Sequence, residues 1–217
     1  MIDLNKRKAS QIQGLYAITD PLLITDKLLF SSIESAILGG AKIIQYRNKL
    51  APEATQYEQA LQLSKLCQQH QVSFIINDDP TLAKAVNADG VHLGQGDKKI
   101  ADARKILGEQ AIIGVSCYNK ISNAQHAIEQ GADYIAFGRF FPSNTKPQAI
   151  QADLQLLEQA RQQFSIPIVA IGGITLDNAS GVIENGADAI AVIHSLFHDT
   201  QEIYNTAKAY QAHFKTT

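Results

Sequence analysis

The stretch "IINDDPTLAKAVNADGVHLGQGD", residues 75 to 97, places a short helix-like segment between two apolar runs, and each run leads into an acidic cluster. The runs, "SFIIND" (73–78) and "GVHLGQ" (90–95), are β-rich, and Asp79 before Pro80 suits the cap of a helix. The stretch therefore reads as strand, helix, strand. The same alternation extends to both ends of the chain. Further strand candidates are "LYAITD" (15–20), "KIIQYR" (42–47), "IIGVSC" (112–117), "YIAFGR" (134–139), "PIVAIGG" (167–173) and "AIAVIH" (189–194). Amphipathic segments follow them. In "PEATQYEQALQLSKLCQQHQ", Ala60, Leu61, Leu63, Ser64 and Cys67 fall near one helical face, and Pro52 suits the first turn.

A weak internal repeat supports this reading. "LGGAK" (38–42), "VNADG" (86–90), "QGADY" (130–134) and "NGADA" (185–189) each close a helix and enter an even-numbered strand. Glycine or asparagine there can take the left-handed conformation that ends a helix. Eight β/α units in 217 residues suit a compact α/β fold, the (β/α)8 TIM barrel, better than an open doubly wound sheet. The expectation is a single domain over residues 1–217, with a polar N-terminal extension at 1–13.

Composition narrows the function. A chain that is 45% apolar can bury a sizeable core, and a net charge of −2 with no basic stripe argues against general nucleic-acid binding. No run of about 18 apolar residues occurs. The start, "MIDLNKRKASQIQG", lacks the apolar centre of a secretory signal, so a cytoplasmic location is expected. Cys67 and Cys117 are too few for a disulfide framework or a zinc site and are expected to be reduced thiols.

Barrels of this class carry their sites on the loops after the C-terminal strand ends. Asp78 ends the third strand and Asp97 lies just past the fourth, so neighbouring strands would deliver two carboxylates to one rim. Magnesium commonly takes one or two protein carboxylates and completes its shell with water and substrate phosphate. Helix capping is the bland alternative; it is the preferred reading for Asp79, and the metal is preferred for Asp78 and Asp97. In "IIQYRNK", Gln45, Arg47 and Lys49 alternate at the end of the second strand and would point the same way. Arg47 suits a phosphate bidentately and Lys49 adds a point charge, although a solvated strand end has the same composition. "FPSNTKP" (141–147) offers hydroxyls and Lys146 in what is otherwise a polar loop. Gly172 and Gly173 in "IGGITLDN", and "VIHS" (192–195) one strand later, occupy the usual phosphate cradle of such barrels, or simply permit tight turns.

Taken in order, "GLYAITD", "IIQYRNK", "FIINDD", "GVHLGQGD", "IIGVSCYN", "GADYIAFGRFFPSNTKP", "IPIVAIGGIT" and "GADAIAVIHSLF" closely resemble the thiamine-phosphate synthase family over nearly the whole chain. The resemblance implies condensation of 4-amino-5-hydroxymethyl-2-methylpyrimidine diphosphate with 4-methyl-5-(2-phosphoethyl)thiazole, releasing pyrophosphate. It implies Mg2+ as cofactor, held by Asp78 and Asp97. Arg47, Lys49, Asn77 and Lys146 would hold the diphosphate, with Arg47, Lys49 and Lys146 as the catalytic cations, and Gln45 and Ser116 would face the pyrimidine. Ser143, Asn144 and Thr145, with the backbone at Gly172, Gly173, Ile193 and His194, would receive the thiazole phosphate. The partners implied are these two small molecules, without nucleic acid or membrane, and a homodimer is compatible with the chain.

The family's reaction is dissociative, so no nucleophile is needed; Cys117 and His92 have no catalytic task, and His92 is expected to be a hydrogen-bonded core or rim residue. Arg139 and Phe140 depart from the common Gly-Pro-Ile/Val-Phe-Pro-Thr pattern, and Ser143 and His194 replace a threonine and a serine. Arg139 is expected to point outward to a carboxylate on a neighbouring helix. A thiazole tautomerase-like paralogue would share the barrel without needing the full metal and diphosphate set. A non-enzymatic thiamine-phosphate binding or regulatory protein would retain every ligand.

Overall fold

The computed structural model describes residues 11–94, 99–142 and 150–214. Among these, eight parallel strands close into a barrel in sequence order: β1 (Gly14–Ile18), β2 (Ile43–Tyr46), β3 (Ser73–Asn77), β4 (Gly90–Leu93), β5 (Ile112–Tyr118), β6 (Tyr134–Phe137), β7 (Ile168–Ile171) and β8 (Ala189–Val192). Ring closure is the pairing of β1 with β8, with Tyr16 opposite Ala191. The helices between them are α1 (Leu29–Leu38), α2 (Glu53–Gln69), α3 (Pro80–Ala85), α4 (Ile100–Leu107), α5 (Ile121–Glu129), α6 (Gln155–Gln163), α7 (Ala179–Glu184), the single-turn α8 (His194–Phe197) and α9 (Ile203–His213). The expected TIM barrel is therefore present.

Period-two alternation divides the core in two. Leu15, Ala17, Ile44, Phe74, Ile76, Val91, Ile135 and Ile190 turn outward to meet the helices. Tyr16, Ile18, Ile43, Ile75, Ile112, Tyr134, Ala136, Val169 and Ala189 fill the barrel itself. Each layer buries branched or aromatic side chains, which suits strands covered on both faces. Gly114 makes room for one of them, because a Cβ there would overlap the Tyr134 ring.

Most strands stop a residue or two before the apolar run ends. Asp20, Arg47, Asp78 and Arg139 fall past the last paired residue, in the rim loops, and His194 opens α8. β5 is the exception and continues to Tyr118, with a register shift against β6. Pro52 stands at the N-cap of α2 rather than in its first turn, and its ψ of 152° is extended. The expected buried face of α2 is present in Ala60, Leu63, Ser64 and Cys67. Asp79 caps α3, its side chain accepting from the N–H groups of Thr81 and Leu82 at 2.8 and 3.1 Å.

The repeat has a structural meaning at the opposite rim. Gly40, Asn87, Gly131 and Gly186 have φ of 113°, 54°, 94° and 109°, the left-handed turn expected at each position. In three of the four, the aspartate two residues later then reaches the preceding strand: Asp89 accepts from Phe74 N, Asp133 from Ile113 N and Asp188 from Ile168 N, at 2.7–2.8 Å. Arg104 pairs with Asp133 at 2.6 Å, and Arg161 pairs with Asp188. Lys42 takes the corresponding place in the first quarter. Cys67 and Cys117 are free thiols, and both are buried. Among the described residues, no helix is long and apolar enough to cross a membrane.

Candidate active site

A cavity of about 280 Å³ opens at the C-terminal ends of the strands. Its floor is a continuous line of hydrogen bonds across the barrel interior. Gln45 Nε2 donates to Tyr16 Oη at 2.8 Å, Tyr16 Oη lies 2.9 Å from Tyr134 Oη, and Tyr134 Oη lies 2.9 Å from His92 Nδ1. His92 Nε2 in turn lies 2.9 Å from Ser116 Oγ. The His92 and Tyr134 rings stack at 5.6 Å between centroids, and the Tyr16 and Tyr134 rings meet edge to face at 6.3 Å. Burial pushes both phenols well above their usual pKa, so both remain protonated donors. His92 is thus the hydrogen-bonded residue expected, while Tyr16 and Tyr134 were not singled out. Their inward parity in β1 and β6 was the available signal.

Gln45 and Ser116, the two ends of this floor, line the cavity together with Arg47 and Asn77, the groups expected to meet the diphosphate. Arg47 is fixed through its backbone: its N–H donates to Thr19 Oγ1 at 2.8 Å, and Thr19 Oγ1 donates back to its carbonyl at 3.1 Å. Behind it, Tyr46 Oη and Asn48 Nδ2 both donate to Gln59 Oε1, which braces the loop after β2 from α2. Arg139 also lines the cavity, with its Cβ packed against Gly172.

The opposite wall is formed after β7 and β8 by Gly172, Gly173, Ile193 and His194. Gly172 and Gly173 have φ of 101° and 67°, and the carbonyls of Phe141 and Pro142 approach Gly173 where a Cβ would stand. The two loops are tied together, since Ser195 Oγ donates to the Ile174 carbonyl at 2.7 Å and Tyr210 Oη donates to the same oxygen at 3.2 Å. Asn178 closes the first loop by donating to the Gly173 carbonyl. The His194 ring is exposed and stacks on His198.

On the rim between β2 and β3, Lys49 Nζ lies 2.6 Å from Asp78 Oδ2. Asp78 has φ of 65°, and its N–H donates to the His92 carbonyl at 2.8 Å, so β4 holds its backbone in place. An all-oxygen carboxylate on a rim suits a hard cation such as magnesium, which needs few protein ligands. Among the described residues, no group of three or more His, Cys, Asp or Glu side chains could hold a metal. Asp97, the second expected metal ligand, lies outside the described residues, as do Ser143, Asn144, Thr145 and Lys146.

Known proteins share both the sequence and this architecture. A family model described as thiamine monophosphate synthase matches residues 15–196. A thiamine-phosphate synthase of Nitrosococcus oceani is 52% identical over 206 residues, covering 95% of this chain and 94% of that protein. One of Alcanivorax borkumensis is 51% identical over 208 residues, covering 95% and 96%. The solved structure of a thiamine phosphate pyrophosphorylase from Pyrococcus furiosus superposes with a TM-score of 0.86 at 34% identity, covering 97% of this chain and 98% of that one. With a family match over most of its length and half its residues shared with such relatives, the chain belongs to the thiamine-phosphate synthase family.

Proposed function

We propose that the cavity joins the aminopyrimidine diphosphate to the thiazole phosphate, with the pyrimidine on the polar floor, its diphosphate towards the β2–β3 rim and the thiazole phosphate in the β7–β8 loops. Thiamine-phosphate synthase activity, in thiamine biosynthesis, comes with the family. The division of labour among residues is the inference. The observation that carries it is the single cavity lined by Gln45, Arg47, Asn77 and Ser116 on one side and by Gly172, Gly173 and Ile193 on the other.

In this reading the C–O bond between the pyrimidine methylene and the diphosphate breaks, and its electron pair leaves with pyrophosphate. The thiazole nitrogen then supplies the pair for the new C–N bond. Leaving-group charge is the main demand, and preorganised cations meet it best. Arg47, its backbone held by Thr19, brings a guanidinium to the cavity; Lys49 and Lys146 would add point charges, and Asn77 adds an amide at the end of β3. Asp78 and Asp97 would hold Mg2+, which when bound neutralises diphosphate charge as a Lewis acid. Ser143, Asn144 and Thr145, with the main chain at Gly172, Gly173, Ile193 and His194, would hold the thiazole phosphate, and the buried floor keeps water from the cationic methylene. The whole chain would act as one domain.

Incubation of the protein with both substrates and Mg2+ should give thiamine phosphate and pyrophosphate in equal amounts, and omission of either substrate should abolish both products. Tight binding of thiamine phosphate without turnover would favour the non-enzymatic alternative and overturn this reading.

A further inference from the structure

The buried floor has one self-consistent proton arrangement once Gln45 presents its amide nitrogen to Tyr16. Tyr16 accepts from Gln45 Nε2, so its own proton goes to its other partner, Tyr134. Tyr16 and Tyr134 are 1% and 0% exposed, so water takes neither proton. Tyr134, having accepted from Tyr16, donates to His92 Nδ1. A ring nitrogen that accepts leaves the imidazole proton on Nε2, which donates to Ser116 Oγ. The Ser116 hydroxyl proton is then available to the cavity that Ser116 lines. At the other end, an amide whose nitrogen faces Tyr16 keeps its carbonyl oxygen for the same cavity. The floor therefore offers an acceptor at Gln45 and a donor at Ser116.

A 4-aminopyrimidine carries the complement, an exocyclic N–H donor beside a ring-nitrogen acceptor. Its 4-oxo counterpart carries the reverse, a carbonyl beside a ring N–H. We propose that Tyr16, Tyr134 and His92 are positioning residues that fix the polarity of Gln45 and Ser116, so that the site selects the aminopyrimidine diphosphate over the 4-oxo form. This rests on the assignment of Gln45 and Ser116 to the pyrimidine. A chain of buried hydrogen bonds suits the task, because reversing one member requires reversing all.

The test is equilibrium binding of the aminopyrimidine diphosphate and its 4-oxo counterpart to the wild-type chain and to Tyr134→Phe, which keeps the ring but cuts the chain of donors. Wild type should prefer the amino form by at least about tenfold, the scale expected when a site's polar groups are mispaired. In Tyr134→Phe the preference should fall to within about threefold, with thiazole-phosphate affinity unchanged. Undiminished preference in Tyr134→Phe overturns the positioning role and leaves the pyrimidine site standing. Absence of preference in the wild type overturns both. Should Tyr134→Phe not fold, nitrogen NMR of histidine-labelled wild-type protein decides: a neutral His92 protonated at Nε2 supports the arrangement, and protonation at Nδ1 overturns it.

Discussion

Lys49 Nζ lies 2.6 Å from Asp78 Oδ2, so an ion pair joins the rim of β2 to the rim of β3. Lys49 is 58% exposed and Asp78 25%, and a pair so placed contributes roughly 0–1 kcal/mol to folding. Asp78 also holds a left-handed backbone, which costs free energy in any residue with a Cβ. Folding gains little from this arrangement. In the proposed reading, the two charges stand where the diphosphate and its cation would each take one of them as partner.

Lys49→Met and Asp78→Asn should therefore affect chemistry far more than stability. For Lys49→Met we expect turnover to fall by roughly 10²- to 10³-fold, the scale of a lost electrostatic donor, with the thiazole-phosphate KM unchanged. Asp78→Asn should raise the Mg2+ concentration for half-maximal activity by more than about tenfold. Thermal midpoints should move by no more than about 4 °C, and losses in the double variant should fall short of the product of the single losses. Large drops in midpoint that parallel the activity losses would make the pair structural.

At the other end of the barrel, Asp133→Ala removes the acceptor of Ile113 N and the partner of Arg104. Both side chains are mostly buried, at 11% and 16% exposure, so the loss should cost about 3 kcal/mol, as for a broken buried pair. Asp133→Asn keeps an oxygen for the backbone and should cost less. Urea unfolding measures both, and equal losses would mean that the backbone bond contributes nothing.

That contrast marks how far the sequence could be read. Alternation of β-rich and amphipathic runs was enough for the barrel, since each strand's parity follows from its own residues. The "GAD" repeat revealed its helix-ending turn, because left-handed backbone depends on local residue type. Its aspartates' cross-strand bonds were hidden, since they depend on register between β3 and β4, β5 and β6, and β7 and β8. The site divides the same way. Gln45 was legible as a polar residue at a strand end, and Asn77 and Ser116 only through the family resemblance, whereas Tyr16 and Tyr134 look like ordinary core aromatics until the barrel closes and their hydroxyls meet. The place of Arg139 at the cavity depends on the packing of the β6 loop on Gly172, which no local pattern reveals.

The buried thiols give a pH prediction. Burial pushes Cys67 and Cys117 up from 9.0 to about 12. Above the lower value the unfolded chain loses thiol protons that the folded chain keeps, so stability is fully present below pH about 9 and declines as pH rises towards about 12. Urea midpoints should be flat from neutral pH to about 9 and then fall, and Cys67→Ala with Cys117→Ala should lessen the alkaline slope. An unchanged slope in that double variant would assign the alkaline loss to other groups. Neither thiol should react with iodoacetamide in the folded protein at neutral pH.

Gly173→Ala offers the sharpest test of the proposed division between two anion sites. Gly173 has φ of 67°, and an added Cβ would press on the carbonyls of Phe141 and Pro142, so the β7 loop must shift against the β6 loop. Phosphate held by main-chain N–H groups is sensitive to such a shift, because those donors are positioned only by the backbone itself. The thiazole-phosphate KM should rise by about tenfold or more, matching the loss of one or two hydrogen bonds to a charged group. Gln45 and Arg47 belong to β2 and its loop, across the cavity, so the pyrimidine-diphosphate KM should stay within about twofold. Stability should fall by about 1–2 kcal/mol from the left-handed backbone alone, which urea unfolding separates from the kinetic effect. Equal rises in both KM values would mean that the glycine pair supports the whole rim rather than one phosphate, and the assignment of the β7–β8 loops to the thiazole would fall.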